Sequence, residues 1–205
     1  MNLFYLDEDH DKNAEYHIDK HVVKMILETA EMICMAHYVN EVLGFVPRKL
    51  EKDEYVRVCQ YKGQFKPLKP EDRPIPYIGR DAHLNHPSTI WVRSSYENYA
   101  WTWCYMHALE SERKFRNPRG VPEHKAITLT RHLPDLSIPD RGFTPFALAM
   151  GNLKEAHPEL VDDSNPIQSY RNFYMLDKNG FASWKSREVP EWWDESFIEQ
   201  HGSVR

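Results

Sequence analysis

The chain has 205 residues, of which 41% are hydrophobic and 28% charged. These values describe one folded domain with a core of ordinary size and exclude a disordered chain. Its net charge of −5 excludes the strongly basic balance of a sequence-independent duplex binder, so any contact with nucleic acid must be local. No apolar run approaches the roughly 18 residues of a membrane span, and residues 1–7 carry no basic leader, so a cytoplasmic protein with no membrane partner is expected. Cys34, Cys59 and Cys104 are too few and too scattered for a disulfide framework or a Cys-x-x-Cys zinc site. Cys34 and Cys104 fall in apolar helical pattern and read as reduced, buried thiols.

In chain order, residues 1–6 are apolar and short, a strand or an extended arm. The acidic turn at residues 7–11 suits the start of a helix, where carboxylates complement the dipole. One long helix is predicted over residues 14–40, closed by Gly44 and Pro47. Set at 100° per residue, His17, His21, Lys24 and Glu28 fall within roughly 60° of each other, with Lys20 and Glu31 at the margins. Nearly everything else on it is apolar, around some 220° of its circumference, so other elements should wrap it and its thin titratable seam should line a cleft.

Residues 49–81 read as a surface insertion or, alternatively, a lid or substrate loop, with weak strand-like alternation over 55–61 and a small β-hairpin as the expected form. Pro67, Pro70, Pro74 and Pro76 then hold the backbone extended. A turn at Asn85-His86-Pro87 leads to Arg93. Ser94 to Glu97 fits a capping box opening a second long helix to about Arg116. Shorter helices are predicted over 123–133 and 145–150, then a linker at 158–166. A last helix covers 167–178, and an aromatic tail with Trp184, Trp192 and Trp193 follows. The fold class is mostly α, a single compact domain.

Several groups of residues carry chemistry. His17 and His21, at i and i+4, suit zinc if a third ligand arrives, but Lys24 one turn on repels a cation. Interleaved with Lys20 and Lys24, they suit phosphate oxygens, proton transfer or simple helix-start hydrogen bonds. Lys24 and Glu28 form either a surface ion pair or, in a dry cleft, a nucleophilic amine beside an acid/base carboxylate. Asn85, His86, Arg93 and Asn98 cluster at a turn before a helix, a place that favours anions or merely an Asx-type turn. Arg113, Lys114, Arg116, Arg119, Lys125 and Arg131 form a basic ridge or a solvated face. Tyr170, Arg171, Phe173 and Tyr174 suit base stacking or packing of the tail onto the core. No cofactor is expected.

The run at residues 11–25, the Asn-His-Pro-Ser turn with Trp-Val-Arg and Glu-Asn-Tyr, Thr144-Pro-Phe-Ala, Tyr170-Arg-Asn-Phe-Tyr and Phe181-Ala-Ser-Trp-Lys together resemble a family of small phage proteins. That resemblance spans most of the chain outside residues 49–80 and implies residence in the host cytoplasm. A fainter similarity links the chain to the pyrimidine-dimer DNA glycosylases of the phage endonuclease V type. Ala14-Glu15-Tyr16, His17, His21, Asn85-His86-Pro87 and residues 170–174 match that family by position. The likeness implies a compact helical scaffold and cleavage of a glycosidic bond by an N-terminal amine with a first-helix Glu. The chain departs from it at two points: residue 2 is Asn, which leaves the free amine on Met1, and the position of the catalytic Glu falls on Ile18, beside Asp19.

The expectation is therefore an enzyme acting on a nucleotide or nucleic-acid base, DNA before RNA, at its N-glycosidic bond. Lys24 would be the nucleophile, with Glu28 and His21 as acid/base groups. His17, Lys20, Asn85, His86, Arg93, Asn98 and Arg171 would hold the substrate. The alternatives are a metal-dependent phosphohydrolase built on His17 and His21, and a non-catalytic phage protein that sequesters a nucleotide signal or inhibits a host factor.

Overall fold

The computed structural model describes residues 2–204, apart from the side chain of residue 82. The N-terminal amine expected on Met1 lies outside the described residues. Among these, nine α-helices and short 3-10 turns account for all regular structure.

Helix α1, His10–Glu15, starts at Asp9, whose carboxylate accepts from Lys12 N–H at 2.9 Å. The single helix expected over residues 14–40 is broken after Glu15, and α2 runs Asp19–Leu43. The break has tertiary causes. Ile18 is extended (φ −62°, ψ 154°), its N–H donates to the Tyr174 hydroxyl at 3.0 Å, and Asp19 N–H donates to Ser183 O at 2.8 Å. Groups that a continuous helix would bond internally are thus satisfied from far along the chain. At its other end α2 stops on Gly44, whose φ of 75° favours glycine.

Helix α2 is the axis of the molecule. Against it pack α3 (Lys52–Gln64), α4 (Pro87–Val92), α5 (Tyr96–Phe115) and α6 (Lys125–Thr130). Two apolar clusters divide its length. The first gathers Leu3, Phe4 and Leu6 of the extended N-terminal arm with Met25, Ile26 and Ile33 of α2 and with Tyr105, Tyr170 and Tyr174. The second joins Cys34, Tyr38 and Val39 to Leu50, Val58 and Ile75.

That second cluster corrects the expected β-hairpin over residues 49–81. Residues 55–61 lie within α3, and no strand occurs among the described residues. Glu51 and Glu54 form a reciprocal capping box at its start. Val58 and Lys62, four residues apart on one helical face, are buried.

Further on, Ser95 does not cap α5 through its side chain, because its hydroxyl accepts from Arg141 N–H at 2.9 Å instead. The short helix expected over 145–150 lies later, as α7 (Gly151–Ala156). Helix α8, Pro166–Lys178, is capped by Asn165, which accepts from Gln168 N–H at 3.1 Å. The aromatic tail holds one more helix, α9, Glu195–His201. Cys34 is buried as expected, whereas Cys104 is exposed. No helix among the described residues is long and apolar enough to cross a membrane.

Candidate functional site

A cleft of about 500 Å³ opens along one side of α2. Its α2 wall presents His21, Lys24 and Glu28, three members of the predicted seam. The opposite walls come from three places: Asn2 and Phe4 of the N-terminal arm, Asn152 of α7, and Phe173, Asp177 and Lys178 at the end of α8.

The arm is held firmly, and this positions the cleft floor. Asn2 Nδ2 donates to Ala149 O at 2.8 Å, and Tyr170 donates to Asn2 Oδ1 at 3.0 Å. Asn2 N–H in turn donates to Glu28 Oε2 at 3.2 Å, while Lys24 Nζ lies 2.9 Å from Glu28 Oε1. Both carboxylate oxygens therefore have donors. Burial, the largest single cause, pushes the Glu28 carboxyl up, but the Lys24 hydrogen bond, nearby positive charge including that of Lys24, and lastly the Asn2 N–H act against it, and the net displacement is downward. Glu31, one turn on, moves the opposite way, raised by burial and by the charge of Glu28. The two neighbouring carboxyls are thus displaced in opposite directions.

His21 is the second feature. Its ring stacks on Phe4 at 4.8 Å between centroids and 17° between planes, and Phe4 faces Phe173 at 6.2 Å. The Tyr174 hydroxyl accepts from Ile18 N–H and lies 2.9 Å from His21 Nδ1, the acceptor for its own proton. That arrangement leaves the imidazole proton on Nε2 as a donor. Burial first, then the nearby His17, Lys178 and Lys24, push His21 down to about 2. His21 is thus a neutral hydrogen-bond donor on an aromatic wall, not a titrating base.

Lys24 differs from its expected role. Its side chain is 63% exposed and paired with Glu28, so the desolvation that a nucleophilic amine requires is absent. What it offers is a cation at the rim. Lys178 offers another, lying 5.4 Å above the Phe173 ring and paired with Asp177.

The other predicted site residues do not line the cleft, although the His17 ring lies 6.4 Å from that of His21. His17 falls in the break between α1 and α2 and is fully buried, so the i, i+4 pairing with His21 on one helix face does not exist. Its Nδ1–H donates to Asn13 O at 2.7 Å, and Tyr105 donates to Nε2 at 2.7 Å. Both ring nitrogens are occupied, which leaves no lone pair for a metal or a phosphate. Among the described residues no three His, Cys, Asp or Glu side chains gather as a ligand set.

Asn85 clasps the backbone of Leu50 from both sides, accepting from its N–H at 2.7 Å and donating to its O at 3.2 Å. His86 caps α4 by accepting from Ser88 N–H, and burial pushes it down to about 4. Arg93 is buried, and its guanidinium donates to Val46 O, Leu84 O and Arg48 O at 2.9, 2.7 and 2.6 Å. Asn98 is buried and donates to Trp91 O and Thr144 Oγ1. These four hold turns together and do not line the cleft.

Lys20 is exposed, with Nζ 4.8 Å over the Phe181 ring. Arg171 donates to Leu6 O at 2.9 Å and lies over the rings of Tyr16 and Trp192, fastening the arm to the tail. The aromatic-basic segment thus packs onto the core. The basic ridge is largely neutralised where it stands: Arg113 pairs with Glu110, Arg116 with Glu112 and Asp19, and Arg131 with Glu123.

Sequence reasoning missed Asn2, Phe4, Asn152, Asp177 and Lys178 in the cleft. Only Asp177 left a local signal, since it stands four residues after Phe173 on one face of α8. No family model, curated protein or solved structure matches the chain.

Proposed function

We propose that the cleft binds the base and sugar of a nucleotide and cleaves the N-glycosidic bond between them. The observation that supports this most is Glu28, an anion with each oxygen held by a donor, set beside the Phe4–His21 aromatic wall. A fixed carboxylate stabilises the positive charge that grows on the sugar as such a bond breaks. The base would stack against Phe4 and Phe173, and His21 Nε2–H would donate to a base oxygen as it gains electron density. Lys24 and Lys178 would meet the phosphate as rim cations.

In the step itself the bond between C1′ and the base nitrogen breaks with its electron pair going to the base. A water oxygen bonds to C1′, and its surplus proton passes through solvent to the departing base while Glu28 stays ionised.

The test is base release from nucleosides, nucleotides and oligonucleotides carrying modified or damaged bases, with borohydride present to trap any imine. Wild type should release base without a trapped adduct, and Glu28→Gln should lose about a hundredfold or more of the rate while keeping its circular dichroism spectrum. A trapped adduct that Lys24→Ala abolishes would restore Lys24 as nucleophile and overturn the water mechanism. No release from any substrate would overturn the reading, and a nucleotide recovered unchanged from the denatured protein would replace it with sequestration.

A further inference from the structure

A second hollow, of about 390 Å³, lies on the other side of α2. His37 sits at its floor, sixteen residues beyond His21, which places it about 24 Å further along the helix and about 160° around it. The two cavities are therefore separate sites. One wall is α5, where Tyr96, Tyr99 and Trp103 stand on one face at i, i+3 and i+7 with the small Ala100 between them. The facing wall is the segment after α6, with Leu133 and Pro134.

The floor is built and polar. His37 is 3% exposed, and its Nε2 lies 2.9 Å from the Tyr99 hydroxyl. Burial pushes it down to about 4, so it carries no charge at neutral pH. The two charged side chains of the lining, Arg131 and Asp135, have opposite signs, and Arg131 is already paired with Glu123. The lining therefore has no net charge to attract either a phosphate or a quaternary ammonium. Three aromatic side chains opposite a proline leave a slot suited to a flat ring. The Arg131 guanidinium and the Asp135 carboxylate in the lining supply a donor and an acceptor for a ring edge that bears both kinds of polar atom.

We propose that this hollow is a second ligand site, one that takes a neutral planar heteroaromatic molecule of the nucleoside class. The site stands on its own lining and does not depend on the chemistry assigned to the cleft. Cys104, exposed in the lining, is a natural reporter, since Cys34 is buried.

The experiment measures the rate at which a thiol reagent modifies Cys104 in a Cys59→Ser background, with adenosine, thymidine, adenosine monophosphate or choline present. A nucleoside should slow labelling about tenfold at roughly ten times its Kd, and Trp103→Ala, at a partly exposed position, should remove that protection. Glu28→Gln should leave it unchanged, which separates this site from the cleft. The proposal fails if neither nucleoside protects at millimolar concentration, or if protection survives Trp103→Ala. It fails equally if choline or the monophosphate protects better than the nucleosides.

Discussion

Lowering the pH from 7 to 5 should weaken this fold by several kcal/mol through the histidines that it buries uncharged. His17 and His37 lie near opposite ends of the long helical region, and burial, the largest cause in each, holds both at about 4 against an ordinary 6.5. As the pH falls through 6.5 the unfolded imidazoles take up protons, while the folded ones do not until about 4. The unfolded state then binds more protons, so stability is fully present above 6.5 and is lost as the pH drops.

At pH 5 each of the two sites has given up about 2 kcal/mol. Their separation makes the losses additive, about 4 kcal/mol together, against a total of roughly 5–15 for a domain of this kind. The window lies above the range in which ordinary carboxyls titrate, so histidines dominate it, and His21 acts in the same direction. Urea unfolding followed by circular dichroism at pH 7, 6 and 5 measures the loss, and His37→Gln should reduce it by about 2 kcal/mol. Imidazole NMR signals of His17 and His37 should stay at their neutral positions throughout. A loss below ~1 kcal/mol, or either ring titrating near 6.5 in the folded protein, would refute the reasoning.

Arg93→Met should destabilise by about 3–5 kcal/mol, because it strips the carbonyls of Val46, Leu84 and Arg48 of charged donors in a buried place. Thermal melts read this, and a drop under ~1 kcal/mol would mean that water replaces the guanidinium. Lys24→Ala should change stability by less than about 0.5 kcal/mol, since its pairing with Glu28 is solvated on the lysine side. A larger change in urea midpoints would show that the pair supports the fold, and activity effects could not then be assigned to the cleft. Tyr174→Phe should cost about 1–2 kcal/mol by orphaning Ile18 N–H. It should also let the His21 proton redistribute between its nitrogens, visible in ¹⁵N chemical shifts. An unchanged tautomer would show that Tyr174 does not set it.

The seam of α2 was legible because helical periodicity is local: His21, Lys24 and Glu28 share a face at any 100° spacing, and the cleft lies along that face. The ends of α8 were legible for a similar reason, an Asn-Pro step that caps and starts a helix. His17 was not, because the turn that breaks the helix before Ile18 is made by Tyr174, 156 positions away. The nature of α3 was written locally in the Glu51/Glu54 box, but the Tyr-Val-Arg-Val-Cys-Gln-Tyr alternation also satisfies a strand and hid it. Asn85, Arg93 and Asn98 look like ligands for an anion in sequence, since a buried amide or guanidinium bonded to backbone has the same composition as one awaiting a phosphate. Nothing near Asn2 announced that its backbone would reach Glu28, for that contact depends on Ala149 and Tyr170 anchoring the arm.

The first turn of α2 is closed by residues 183–187. Asp19 accepts from Ser183 and from the Lys185 amide, across gaps of 164 and 166 residues, and Arg187 reaches both Glu15 and Glu112. A ribosome making this protein therefore displays the start of its central helix long before the groups that fasten it exist. Until residues 183–187 emerge, Asp19 and Glu112 lack some of their partners. A chain truncated before Ser183 should keep α2 and α5 but leave Asp19 and Glu112 short of the donors that tie those helices to residues 183–187.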